Sequence, residues 1–374
     1  MTRPKSILFL TYHFPPEVGG IQTRIAHYLK VLRDRKIRTT VFYAVSHRGV
    51  QKSYDLNGTR VVVSLGRTSR LPQNAATLVR LMASQRVEAV HVFTGMSTFL
   101  STFALAIGRL KQMPAVVSVF GLEEFEFVSF RQRLLFNLSI RLATCIAVNS
   151  AFTRSHFPPS VQAKTRVILG GAVGPRDPTE HMEDSEAARI LYVGRLVRSK
   201  GIDDLIESYK IVSERIPQST LVIVGDGPER GRLESLVHEL DLSTSVVFKG
   251  TLRGEKLDEE YANCTVFAMA SKRVPDDPAI ETFGLTLVEA LMHGKPVVGT
   301  FLGGIPEIVE NGVNGLLVSE GQPRELADAL VRILTDRDLA CKLRQNALES
   351  AKRKFTWEAA TDRLLSCYSR GSQE

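Results

Sequence analysis

Five short apolar runs in the second half of the chain, RILYVG, STLVIVG, SVVFKG, CTVFAMA and KPVVGT, each end in glycine or another small residue and are each followed by helical sequence. Runs of Val, Ile and Leu with little polar alternation suit strands covered on both faces, and helices supply that cover. The rhythm also runs through the first half. SILFLTY at residues 6–12 precedes a helical stretch from about Ile21 to Arg33, and further strand candidates lie at 39–44, 88–93, 115–120 and 144–148. The predicted class is α/β with parallel sheets. A chain of 374 residues exceeds what one core usually organises, so two domains are expected. GGAVGPRDPTEHMEDSEAA, Gly170 to Ala188, is rich in Gly, Pro and acids and reads as a linker. The expected boundaries are 1–172 and 187–355, with the last helical stretch, residues 356–370, joining the first domain. Ligands of such sheets bind at the carboxyl ends of strands, which places the expected site in a cleft between the two sheets.

A formal charge of +8 and a pI near 9.3 favour anionic partners: nucleotides, phosphorylated substrates or an acidic membrane surface. Nucleic acid is not expected, because no basic run is interleaved with aromatics and no recognised binding motif occurs. The four cysteines, Cys145, Cys264, Cys341 and Cys367, lack ligand-like spacing and read as free thiols of a reducing compartment. The N-terminal apolar run is too short for a signal peptide, and no segment approaches the roughly 20 apolar residues of a membrane span. A cytoplasmic protein is expected, with peripheral contact at the inner membrane face left open. SFRQRLLFNLSIRL, Ser129 to Leu142, suits a lipid-linked acceptor at an anionic membrane, but a buried amphipathic helix with solvated arginines has the same pattern.

Several motifs carry chemistry. PPEVGGIQ sets Gly19 and Gly20 between a strand and a helix, where free amides attract phosphate, or where a tight turn binds nothing. VGRLVRSKG puts Arg195 at a strand end and Lys200 five residues on, two cations able to neutralise a diphosphate. VGDGPERG has glycines at 225, 227 and 231, not the G-x-G-x-x-G spacing of a dinucleotide loop. DRD at Asp336 to Asp338 lies between helical stretches and reads as a helix cap, so no metal is expected. In IETFGLTLVEALMHGKPVV a helix is predicted from near Gly284, with Glu281 in the preceding loop and Glu289 more than a turn inside. The amides of Phe283, Gly284 and Leu285 then offer an anion site between two carboxylates, an arrangement suited to hydroxyls on either side of a phosphate.

In order along the chain, FPPEVGGIQ, VGRLVRSKG, VGDGPE, VVFKG and ETFGLTLVEALMHGKPVVGTFLGGIPEIVENGVNGLLV resemble the family 4 retaining glycosyltransferases of GT-B fold. The resemblance covers nearly the whole chain, is most specific across residues 189–318, and is similar in detail to bacterial mannosyltransferases of the phosphatidylinositol mannoside type. It implies two facing Rossmann-like domains, the first for the acceptor and the second for the nucleotide-sugar donor, with an interdomain cleft that closes during reaction. It implies that Arg195 and Lys200 grip the donor diphosphate and that Glu281 holds the transferred sugar. Glu289 would bind the ribose, the amides of Phe283, Gly284 and Leu285 the distal phosphate, and the backbone of Phe248, Lys249 and Gly250 the nucleobase region. Gly19, Gly20, Gly225 and Gly227 complete the implied donor set. The resemblance implies retention of anomeric configuration and neither a cofactor nor a metal.

The chain departs from the family pattern where VFGLEEF sets Phe120 in the place of a histidine. Glu123 or Glu124 would then face the cleft, or form a solvated acidic turn. His91, at an expected strand end, reads as structural, and the loop Ser271 to Glu281 has no assigned role. GDP-mannose is the favoured donor, with UDP-sugars open, and the acceptor is a glycan, a lipid-linked sugar or a small molecule. The alternatives are a non-hydrolysing sugar-nucleotide epimerase and a catalytically silent nucleotide-sugar-binding protein.

Overall fold

The first apolar run forms β1 (Ser6–Thr11), buried at every position and flanked on both sides by parallel neighbours. This is the situation its unbroken apolar sequence requires. The computed structural model describes residues 3–14, 19–45, 53–65, 71–84, 86–93, 99–122, 129–174, 188–275, 277 and 279–369. Most of the linker stretch, and Glu123 and Glu124, lie outside them.

The chain divides into two units, Met1–Gly170 with Trp357–Glu374, and Gly171–Thr356. In the first, β1 joins β2 (Arg38–Val45), β3 (Ser53–Leu56), β4 (Thr59–Leu65), β5 (Ala89–Phe93), β6 (Ala115–Val119), β7 (Cys145–Val148) and β8 (Thr165–Val167). Their order across the sheet is β3-β4-β2-β1-β5-β6-β7-β8, and every pairing is parallel except β3 with β4. That hairpin was not among the expected strands. It turns on Asn57 and Gly58, both at positive φ (50° and 81°), with the Gly58 amide donating to the Asp55 carboxylate at 2.7 Å.

The helices of this unit are α1 (Gly20–Asp34), α2 (Leu71–Ser84), α3 (Phe99–Leu110), α4 (Phe130–Leu142) and the short α5 (Ala151–Ser155) and α6 (Pro159–Gln162). Leu78, Leu100, Leu105 and Phe136 from α2, α3 and α4 bury against Leu8, Val90, Val117 and Ile146 of the strands. At about 25 cal/mol per Å2 of apolar surface, such side chains dominate the stability of the unit.

The second unit is an all-parallel sheet in the order β11-β10-β9-β12-β13-β14. Its strands are β9 (Arg189–Val193), β10 (Thr220–Val224), β11 (Val246–Gly250), β12 (Val266–Met269), β13 (Val297–Thr300) and β14 (Gly315–Val318). Around it lie α7 (Ile202–Arg215), α8 (Arg230–Glu239), α9 (Glu255–Asn263), α10 (Leu285–Met292), α11 (Pro323–Thr335) and α12 (Arg337–Lys354). Asp336 caps α12, its carboxylate accepting from the Leu339 amide at 2.9 Å, so the DRD triplet is a helix start. Successive strands from β9 build outward to one side and those from β12 to the other, so the strand order reverses between them. That reversal opens a crevice at their carboxyl ends.

The chain then returns to the first unit as α13 (Trp357–Ser366). Trp357 stacks on His27 with ring centroids 4.6 Å apart, and Asp362 pairs with Arg35 at 2.6 Å.

Candidate functional site

β9 ends at Val193, and the turn after it carries Gly194, Arg195 and Lys200 before α7 begins at Ile202. β12 ends at Met269, and the loop after it carries Glu281 before α10 begins at Leu285. The strand reversal thus sets the two loops side by side, and Lys200 Nζ meets Glu281 Oε2 at 2.5 Å. The Phe283 amide, at the N-terminus of α10, donates to Glu281 Oε1 at 3.4 Å. Burial alone would raise the Glu281 carboxyl, but the Lys200 ammonium and the amides of Phe283 and Gly284 outweigh it, holding Glu281 below the usual carboxylate range. Glu281 is therefore ionised at neutral pH and sits beside the amides at the start of α10. Gly284 adopts φ 100° at the cap position, and Leu285 opens the helix.

Glu289 lies more than a turn inside α10. Tyr261 donates its hydroxyl to Glu289 Oε2 at 2.7 Å. Burial is the main influence on this carboxyl; the Tyr261 bond lowers its pKa and Asp258 raises it, leaving it pushed up to about 7. Glu281 and Glu289 flank one helix start in opposite electrostatic states, one held charged and one close to balance at neutral pH.

The loops are fixed by close backbone approach. Gly225 has φ 136°, and a Cβ there would collide with the Gly194 carbonyl; one on Gly227 would collide with the Leu196 carbonyl. The Gly225 amide donates to Gly250 O at 2.8 Å, joining the ends of β10 and β11. Phe248 packs partly on the core, while Lys249 is exposed and bonds Glu260 Oε1 at 2.5 Å. Arg195 is exposed, and its carbonyl accepts from the Tyr192 hydroxyl at 3.1 Å.

The loop Ser271 to Glu281 acquires a structural account in part. Lys272 binds Asp203 at 2.9 Å and Asp204 at 2.7 Å at the start of α7, and Arg273 pairs with Glu320. Sequence reasoning assigned no role to Tyr261, Lys272, Gly303 or Gly304. Adjacent glycines after β13 were visible, and they matter: the Gly304 amide donates to Glu281 O at 2.9 Å, and a Cβ on Gly303 would overlap that same oxygen. Tyr261 had no signal, since it lies 28 residues before the carboxylate it serves.

Gly19 and Gly20 belong to the other unit, where Gly19 caps α1 and Gly20 opens it. Phe120, just beyond β6, lies under the Arg24 guanidinium, whose carbon is 4.9 Å from the ring centroid. A ring without a titratable nitrogen fits such a cationic neighbour. His91 is not at a strand end but in the middle of β5, fully buried, with Nε2 2.7 Å from Ser118 Oγ and Nδ1 2.5 Å from the Tyr368 hydroxyl. Burial holds its pKa down to about 3, so it is a neutral, satisfied core histidine. Among the described residues no group of three or more His, Cys, Asp or Glu is placed to hold a metal ion, and no helix is long and apolar enough to cross a membrane.

Two family models match the chain: Glycosyltransferase Family 4 over residues 18–172 and Glycosyl transferases group 1 over residues 175–352. The chain is 26% identical over 383 residues to a GDP-mannose-dependent alpha-(1-6)-phosphatidylinositol monomannoside mannosyltransferase of Mycobacterium tuberculosis, covering 96% of each chain. It is 24% identical to the sulfoquinovosyl transferase SQD2 of Arabidopsis thaliana, over 97% of this chain and 73% of that one. Among solved structures, Anabaena HepE in complex with UDP matches with a TM-score of 0.76 at 23% identity, over 96% of this chain and 98% of its own.

Proposed function

Because the chain belongs to glycosyltransferase family 4, has the GT-B fold and is a sugar transferase using a nucleotide-sugar donor, we propose that it transfers mannose from GDP-mannose with retention of anomeric configuration and without a metal ion. The observation that carries this reading is the Lys200–Glu281 pair beside the N-terminal amides of α10, at the strand reversal of the second unit. Cleavage of the bond between the anomeric carbon and the donor phosphate leaves its electron pair on a β-phosphate oxygen. Lys200, Arg195 and the helix amides stabilise that charge as it develops. The acceptor oxygen bonds to the anomeric carbon on the face the phosphate leaves, and its proton passes to the departing phosphate. Glu281, ionised next to the reacting centre, orients the sugar hydroxyls, and Glu289 accepts from the ribose.

GDP-mannose is favoured by the FPPEVGGIQ opening and by likeness to the mycobacterial mannosyltransferase; the UDP held by HepE keeps a UDP-sugar as the competing donor. A thermal-shift panel of GDP-mannose, GDP-glucose, UDP-glucose and UDP-galactose tests the choice, since a ligand at 100 times its Kd stabilises by about 2.7 kcal/mol. A larger shift with a UDP-sugar overturns the donor assignment. Proton NMR of the product reads the anomeric configuration, and a glycosyl-enzyme trapped on Glu281 would overturn the same-face step. Glu289→Ala is expected chiefly to weaken nucleotide binding and Glu281→Ala chiefly to slow transfer. Equal losses of nucleotide affinity would contradict that division.

A further inference from the structure

Helix α4 is complete within its own unit. Ser129 and Gln132 form a capping box at its start, and Lys164 Nζ donates to the carbonyls of Ile140 (2.7 Å) and Ala143 (3.0 Å) at its end. One face is buried through Phe136, Ser139 and Ile140, with Ser139 Oγ 2.9 Å from Thr102 Oγ1 of α3. The other face leaves Phe130, Leu134 and Leu138 exposed at 83%, 59% and 43%. Spaced four apart, they form one stripe. Arg131 and Arg133 lie exposed on its two flanks and Arg141 is exposed at its end. The helix needs nothing further to fold, so the stripe is not an unfinished core contact.

The charge around it has one sign. Residues 99–122 and 129–174 contain eight lysines and arginines and no acid; the only acids of the whole stretch 99–174 are Glu123, Glu124 and Glu126. The asymmetry extends to the unit. The first unit holds 25 basic and 10 acidic residues, a net +15, while the second holds 23 and 30, a net −7. The entire positive excess of the chain sits on the unit that displays the apolar stripe.

We propose that the exposed face of α4 docks the protein on an anionic lipid bilayer, with Phe130, Leu134 and Leu138 entering the acyl boundary and Arg131, Arg133 and Arg141 meeting lipid phosphates. A preformed helix with an apolar stripe between cations is the arrangement that lies in a membrane interface. Long-range attraction by a net positive unit brings it there. A nucleic acid would satisfy the arginines and leave three large apolar side chains in water. A second copy of this chain would bring like charge against like charge.

The test is flotation of the full-length protein with vesicles of phosphatidylcholine alone or mixed with phosphatidylglycerol. Binding is expected only to the phosphatidylglycerol vesicles and is expected to fall as salt is raised. The triple variant Phe130→Ser, Leu134→Ser, Leu138→Ser is expected to bind at least about tenfold more weakly. Its circular dichroism and nucleotide-sugar thermal shift are expected to stay at wild-type values, which separates lost docking from lost folding. Arg131→Gln with Arg133→Gln is expected to reduce the preference for anionic vesicles. Equal flotation of wild type with both vesicle types, or undiminished flotation of the triple variant, overturns the proposal. So does a wild-type dimer in sedimentation velocity that the triple variant abolishes, since the stripe would then seat a second copy.

Discussion

Lys200 and Glu281 face each other with side chains only 25% and 14% exposed, so each is partly stripped of water and depends on the other. Lys200→Met leaves the carboxylate with helix amides alone, and Glu281→Gln leaves the ammonium without its counter-charge. Each single change is expected to cost about 1–3 kcal/mol in urea unfolding. The double variant is expected to cost less than the two together, by about 1 kcal/mol or more, because removing both charges leaves neither stranded. All three variants are expected to lose transfer, since stability depends on the match of the pair and chemistry on each member. A strictly additive cycle would show that the pair contributes no mutual stabilisation.

The helix start at α10 is positioned by an element that contributes no side chain to it. β13 runs out at Thr300, and the turn beyond lays Gly303 and Gly304 against the backbone of residues 281–283, where Gly303 takes φ 59°. A Cβ on Gly304 would overlap the Thr282 carbonyl and crowd Phe283 Cα. Gly304→Ala is therefore expected to cost about 1–3 kcal/mol, the usual range for overpacking, and to displace Glu281. Its signature is a fall in kcat larger than the rise in nucleotide-sugar Kd, read by steady-state kinetics and calorimetric titration; unchanged kcat would separate the glycine turn from the site. The element scale also explains what could be read in advance. Strands buried on both faces announce themselves as apolar runs, so β1, β2, β5, β6, β7, β9, β10, β12 and β13 were legible, and the half-exposed edge strand β11 was legible from its Val-Val-Phe run. The edge strand β3 is half-exposed and β4 lies between it and β2, and only the Asn57-Gly58 turn betrays the pair. Glu281, Glu289, Arg195 and Lys200 stood out because strand-end loops and a helix start have local signatures. The Tyr261 bond and the Lys272 clamp did not, because tertiary partners leave no trace in spacing.

At the scale of the molecule, the chain crosses between its units twice, after Gly170 and after Thr356, and among the buried titratable groups His91 in the first unit and Glu289 in the second are shifted in opposite senses. His91, in the first unit, is bonded by Tyr368 of the returning C-terminal segment and has its pKa lowered by burial from 6.5 to about 3. Below pH 6.5 the unfolded chain binds a proton that the folded unit refuses, so this contribution is intact above 6.5 and is lost as pH falls towards 3. Glu289, in the second unit, has its pKa raised from 4.5 to about 7, chiefly by burial. The folded unit holds a proton there that the unfolded chain has released, so this contribution is full below pH 4.5 and is lost as pH rises through 7. Between pH 7 and pH 5 each group changes stability by about 2 kcal/mol, in opposite directions. Gln at either position keeps hydrogen-bonding capacity without titrating. Relative to wild type, His91→Gln is expected to gain about 2 kcal/mol on going from pH 7 to pH 5, and Glu289→Gln to lose about as much. Urea unfolding of both variants and wild type at several pH values reads the two slopes directly, whether the units melt together or apart. Slopes of the same sign would overturn the assignment of opposed protonation states to the two cores.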